Sequence, residues 1–127
     1  MNNTVFCMLL FVATLLYSCD TSHSSRTTMS TSTKWGNTWK MSFRTADGYL
    51  GSHTFNVKGA DYKLIYSSSL AEGELKIDFC DNDGNVITEI PTNTSDTLRS
   101  VENGKKYKIV VTANKAKEGS FSFQMKD

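Results

Sequence analysis

Several groups of side chains in this sequence have types and spacings that could do chemistry. Asp78, Asp81 and Asp83 gather around Asp81-Asn82-Asp83-Gly84. Carboxylates so placed suggest calcium held by oxygens, but the stretch is too short for an EF-hand loop and no bidentate Glu follows at the needed distance. Asp-Gly readily adopts the positive φ of tight hairpins, so a turn is the expected role and no metal is predicted. His53 with Ser52 or Ser68 has the types of a hydrolase pair. No Gly-x-Ser-x-Gly elbow accompanies them, and a surface histidine is expected instead. Cys80 lies between Asp78 and Asp81, which hold a thiol protonated and disfavour a nucleophile. Trp35, Asn37 and Trp39 alternate, and in an extended chain all three point to one side. Two exposed indoles so placed could stack on sugar rings, which makes the three a candidate ligand-binding set. Trp39 also shares a face with Met41 and Phe43 and is expected in the core, whereas for Trp35 both roles stay open. No catalytic residue is assigned.

A different chemistry attaches to Cys19. Residues 5–17 form an apolar run of about 13 residues, too short for a membrane-spanning helix, which needs about 20, and suited to a signal-peptide core. It ends in Leu16-Tyr17-Ser18-Cys19, after which the chain turns abruptly polar. This tetrapeptide resembles the lipobox of bacterial lipoproteins: an aliphatic residue three before the cysteine and a small residue directly before it. The resemblance implies that residues 1–18 are a cleaved signal peptide, and that Cys19 becomes the lipidated N-terminus, carrying acyl chains such as palmitate. Tyr17 is bulkier than the small residue usual there, and residues 1–4 contain no Lys or Arg. An ordinary cleaved leader and an uncleaved anchor are the alternatives. The expected location is the outer side of a bacterial cell membrane, held by lipid.

Cleavage before Cys19 leaves 109 of the 127 residues, the size of one domain. All 14 Lys/Arg and all 13 Asp/Glu follow Cys19, and their signs alternate along the chain. This balance excludes a polybasic nucleic-acid binder, and it leaves membrane attachment to lipid rather than charge. With Cys7 removed and Cys19 modified, Cys80 is the last cysteine, so a domain without an internal disulfide is expected. One cysteine and two histidines make no recognised zinc site. Residues 19–34 read as a disordered Ser/Thr-rich tether, with ten Ser/Thr among residues 20–33, too polar to offset the entropy of ordering.

The domain is placed at residues 35–127. Eight short strands are predicted, at residues 38–45, 49–57, 62–70, 74–81, 86–90, 98–101, 106–113 and 120–125, from period-two alternation such as Trp39-Met41-Phe43 and Phe121-Phe123-Met125. Turn signals separate them: Ala46-Asp47-Gly48, Ala71-Glu72-Gly73, Asp83-Gly84, Glu102-Asn103-Gly104 and residues 114–119. The reading is an all-β, antiparallel β-sandwich of about seven to eight strands following a cleaved signal peptide. Its stability is expected near 5–10 kcal/mol.

The ordered cues Gly73-Glu74-Leu75-Lys76-Ile77, Asp81 to Gly84, Gly104 to Ile109 and Gly119 to Phe123 resemble those of the bacterial pre-peptidase C-terminal domain and of small secreted lipoproteins. The resemblance implies a jelly-roll-like or Ig-like sandwich with an accessory or binding role. It brings no catalytic residues and no cofactor. The expected function is therefore a non-catalytic, monomeric cell-envelope lipoprotein. Its partners are the membrane, through Cys19, and a glycan, a wall component or an exported protein, with no nucleic acid. The alternative is an inhibitor module acting on a secreted hydrolase through the loop at residues 91–97.

Overall fold

The computed structural model describes residues 25–127. Seven antiparallel strands form one sheet: β1 (Ser25–Thr28), β2 (Thr31–Trp35), β3 (Thr38–Asn56), β4 (Lys63–Asp81), β5 (Val86–Ile90), β6 (Ser95–Leu98) and β7 (Lys106–Lys126). The described residues contain no helix. The leader, the Cys19 lipidation site and residues 19–24 of the expected tether lie outside them.

Three of the expected turns are not turns. The chain runs through residues 46–48, 71–73 and 114–119, so six predicted strands fuse into three, β3 and β4 of 19 residues each and β7 of 21. The fused strands lie side by side in the order β3-β7-β4. One cross-strand row joins Thr45, Lys117 and Glu72, and another joins Gly48, Ala113 and Leu75. The former turn signals fall between these rows, where the register slips at Ala46/Gly48 and Glu72/Glu74. Gly48 (φ 93°), Gly73 (φ 85°) and Lys115 (φ 47°) take positive φ there. A residue in that region inserts a bulge and bends a strand when its neighbours stay paired, and reverses the chain when they do not. Aligned across three strands, the bulges make a crease. Asp47 pins it, its Oδ1 accepting the Lys115 N–H at 3.1 Å.

The crease folds the sheet over itself into two layers. The first contains β2, the start of β3, the end of β7, the start of β4 and β6; the second contains the remaining halves of β3, β7 and β4 with β5. Trp39, Phe121, Phe123 and Leu64 from the first layer and Phe55, Ile77, Phe79 and Ile109 from the second meet in one core, each at most 3 % exposed. The two ends of β3 also meet, since the Asn37 side chain hydrogen-bonds the backbone of Asn56. Nineteen extended residues would separate those ends by about 60 Å.

Two further expectations are corrected. Disorder does not extend over residues 25–34, because β1 pairs with residues 45–48 of β3 and β2 with residues 38–42. The short strand expected at residues 98–101 is β6, Ser95–Leu98. The loop before it lies against β4 rather than protruding. Asn93 Oδ1 accepts the Leu70 N–H at 2.7 Å, its own N–H donates to Ser68 Oγ, and Thr94 Oγ1 donates to the Pro91 carbonyl.

Candidate ligand-binding face

The structure separates Trp35, Asn37 and Trp39. Gly36-Asn37 is a two-residue loop joining β2 to β3, with Gly36 at φ 55°, the glycine-first pattern of a II′ hairpin. The reversal puts Trp35 opposite Thr38 and Lys34 opposite Trp39, so the two indoles face opposite sides of the sheet. Trp35 is 81 % exposed and Trp39 fully buried. Trp39 packs edge-on against Phe121 at 4.9 Å between ring centres and lies beside Phe123 and His53. Lys34 roofs it, with Nζ 4.7 Å from the ring centre and donating to the Ser52 carbonyl at 2.8 Å. Partial burial lowers the Lys34 pKa from its ordinary value. Asn37 is used structurally: its Nδ2 donates to the Asn56 carbonyl and its Oδ1 accepts the Asn56 N–H, both at 2.8 Å. Of the three, Trp35 is largely exposed, Asn37 half-buried and Trp39 buried.

The other candidate groups are likewise occupied. His53 donates from Nε2 to the Gly36 carbonyl at 2.7 Å and sits edge-on to Phe55 at 4.9 Å, tying the β2–β3 hairpin to the far end of β3. Ser52 Oγ accepts from the Tyr49 hydroxyl and Ser68 Oγ from the Asn93 N–H, so neither serine hydrogen-bonds His53. Asp81 folds its own hairpin: Oδ1 accepts the N–H groups of Asp83 and Asn85 at 2.9 Å each, and Oδ2 accepts from Asn85 Nδ2. The Asn85 backbone N–H is the chief of several donors that hold this carboxylate below its ordinary pKa. Burial raises the pKa of Asp78; Lys76 opposes the shift from 3.8 Å and Glu89, directly across the ladder, adds to it. Among the described residues no three His, Cys, Asp or Glu side chains are grouped to hold a metal. Cys80 is fully buried and disulfide-bonded; it is the only cysteine among the described residues.

A surface that sequence reasoning missed lies on the outer side of the first layer. Adjacent strands there carry hydroxyls in register. One row runs Thr33, Lys40, Ser122, Ser67 and Ser95 across β2, β3, β7, β4 and β6. The next runs Thr31, Ser42, Ser120 and Ser69. On the other side of the first row, Trp35, Thr38, Gln124, Ile65 and Thr97 make a third. The first two rows, apart from Ser95, line an open depression of about 370 Å³. Thr31 and Ser42 hydrogen-bond each other at 2.8 Å. Among the described residues, the hydroxyls of Thr33, Ser67, Ser69, Ser120 and Ser122 make no hydrogen bond within the protein. Lys40 is the one charge in the three rows. The signal was present as Thr-x-Thr, Ser-x-Ser and Ser-x-Ser at residues 31–33, 67–69 and 120–122. It becomes a surface only when the strand order sets those repeats beside one another.

No protein-family model matches the chain, and a comparison with curated proteins found no match.

Proposed function

We propose that this protein is a non-catalytic cell-envelope lipoprotein, anchored through Cys19, that presents its folded sheet for binding a glycan, a wall component or an exported protein. The observation that carries the anchor is the apolar run ending at Leu16-Tyr17-Ser18-Cys19 directly ahead of a polar segment. The resemblance of the strand cues to a secreted accessory domain supports a binding role. So does the state of the hydrolase-like groups, since His53, Ser52 and Ser68 are all hydrogen-bonded to other parts of the fold rather than to one another. An inhibitor that inserts a loop into a hydrolase gains little support, because residues 91–94 are bonded down onto β4.

The test is the intact mass of protein extracted from membranes, wild type against Cys19→Ala. The expected wild type starts at Cys19 and carries the mass of several acyl chains, and Cys19→Ala retains its leader and no lipid. A wild type that keeps residues 1–18, or is cut elsewhere without lipid, overturns the anchor. A lipid thioether and a disulfide cannot share one sulfur. The same spectra before and after reduction therefore report whether Cys19 carries lipid, a disulfide or neither.

A further inference from the structure

We propose that the hydroxyl-bearing outer face of the first layer binds a linear, uncharged glycan, with Trp35 stacking on a sugar ring at its edge. This deepens the binding-module reading above and rests on it.

Charge narrows the ligand first. The chain has 27 ionisable acid and base side chains of alternating sign, yet Lys40 is the only one in the three rows. A phosphorylated, sulfated or uronic-acid polymer would find little to pair with its charges there. Chemistry narrows it further. Each Ser or Thr hydroxyl donates one hydrogen bond and accepts two, and rotates to suit its partner. Sugar hydroxyls have the same dual character. Five hydroxyls with no partner in the protein can therefore exchange water for sugar without stranding a donor or acceptor. Trp35 supplies what the hydroxyls lack. Its ring is 81 % exposed, on the same face as Thr33 and two residues along β2 from it. It offers a flat apolar surface to the C–H face of a pyranose, with only two torsions to fix.

Other occupants fit less well. The centres of protein interfaces concentrate Trp, Tyr, Met and Arg, and serine and threonine are rare among their energetic anchors. Here serine and threonine dominate and one aromatic stands at the rim. A membrane surface would call for Lys or Arg beside a broad apolar patch. The face is also long in one direction. Its rows cross four or five strands spaced about 4.8 Å apart, room for a chain of several sugars rather than one.

The experiment titrates full-length protein in detergent with cellohexaose, chitohexaose and mannohexaose by calorimetry. Polygalacturonate serves as the charged comparison. The expected result is saturable binding of at least one neutral hexasaccharide and none of polygalacturonate. Trp35→Ala should weaken it about tenfold, and the double variant Ser67→Ala/Ser122→Ala should weaken it by about the same factor. Both changes lie on the solvent side, so circular dichroism should be unchanged. No binding of any neutral hexasaccharide by folded protein overturns the proposal, as does preference for polygalacturonate, or binding that neither variant weakens. Glycan binding is read independently of the lipid. A chain that lacks the lipid but binds glycan refutes the anchor alone, and a lipidated chain that binds none refutes this face alone.

Discussion

Asn37 carries an unusual share of the architecture for one exposed-looking loop residue. Its amide bridges both backbone groups of Asn56, and its carbonyl accepts the Met125 N–H, so it joins the two ends of β3 to the end of β7. Asn37→Ala removes two hydrogen bonds and leaves a half-buried N–H and C=O unsatisfied. A loss of about 2 kcal/mol is expected in urea unfolding. Two carboxylates should show opposite pH signatures. The Asp81 pKa is lowered by the fold, so its stabilisation is full above the ordinary carboxylate value, about 3.9, and is lost as pH falls through the lower folded value. Asp81→Asn should therefore melt below wild type at pH 7, with the gap closing in strong acid. The Asp78 pKa is raised, chiefly by burial, so its charged form is a liability above the folded value that is relieved as pH falls. Asp78→Asn should melt above wild type at pH 7 and lose that advantage in acid. Thermal melts across pH 2–8 check both (about the range in which carboxylates titrate).

At the scale of elements, the crease is the feature to test. A Cβ at Gly73 would lie 2.1 Å from the Lys115 carbonyl oxygen, and the position needs φ 85°. Gly73→Ala should cost about 3 kcal/mol or more, because backbone rather than a flexible side chain must move. Equilibrium denaturation measures it. The crease also explains which parts of the fold were legible. The inward sets Trp39-Met41-Phe43, Leu75-Ile77-Phe79 and Phe121-Phe123-Met125 follow from alternation, and all are buried. Strand number did not follow, because Asp-Gly and Glu-Gly supply the same positive φ to a bulge as to a turn. Only the pairing of neighbouring strands decides between them. The strand β2 was hidden for another reason. Every residue in it is exposed, so it is held to β3 by the backbone ladder, and burial leaves no pattern in its composition.

For the whole molecule, β7 is the central strand of both layers, with β3 on one side and β4 on the other. Removing residues 120–127 would therefore do more than uncover an edge. It would take out Phe121 and Phe123 and leave the starts of β3 and β4 without a common neighbour. That truncation should show no cooperative melt. The candidate face is a property of the same scale. Its serines are residues 42, 67, 69, 95, 120 and 122, from stretches far apart in sequence that read singly as ordinary strand surface, so no single segment announced it. Trp35 was legible as a binding candidate, whereas its supposed companions Asn37 and Trp39 proved to be structural.

The two tryptophans allow a direct measurement of the binding claim. One is 81 % exposed on the face and the other fully buried beneath it. Acrylamide quenching of wild type and of Trp35→Phe, each with and without the hexasaccharide that binds in calorimetry, isolates the Trp35 emission by difference. The account predicts that this emission is readily quenched in the free protein, then shifts to shorter wavelength and is shielded when sugar is added, while Trp39 is unchanged. Trp35 emission that stays equally quenchable at saturating sugar would contradict it.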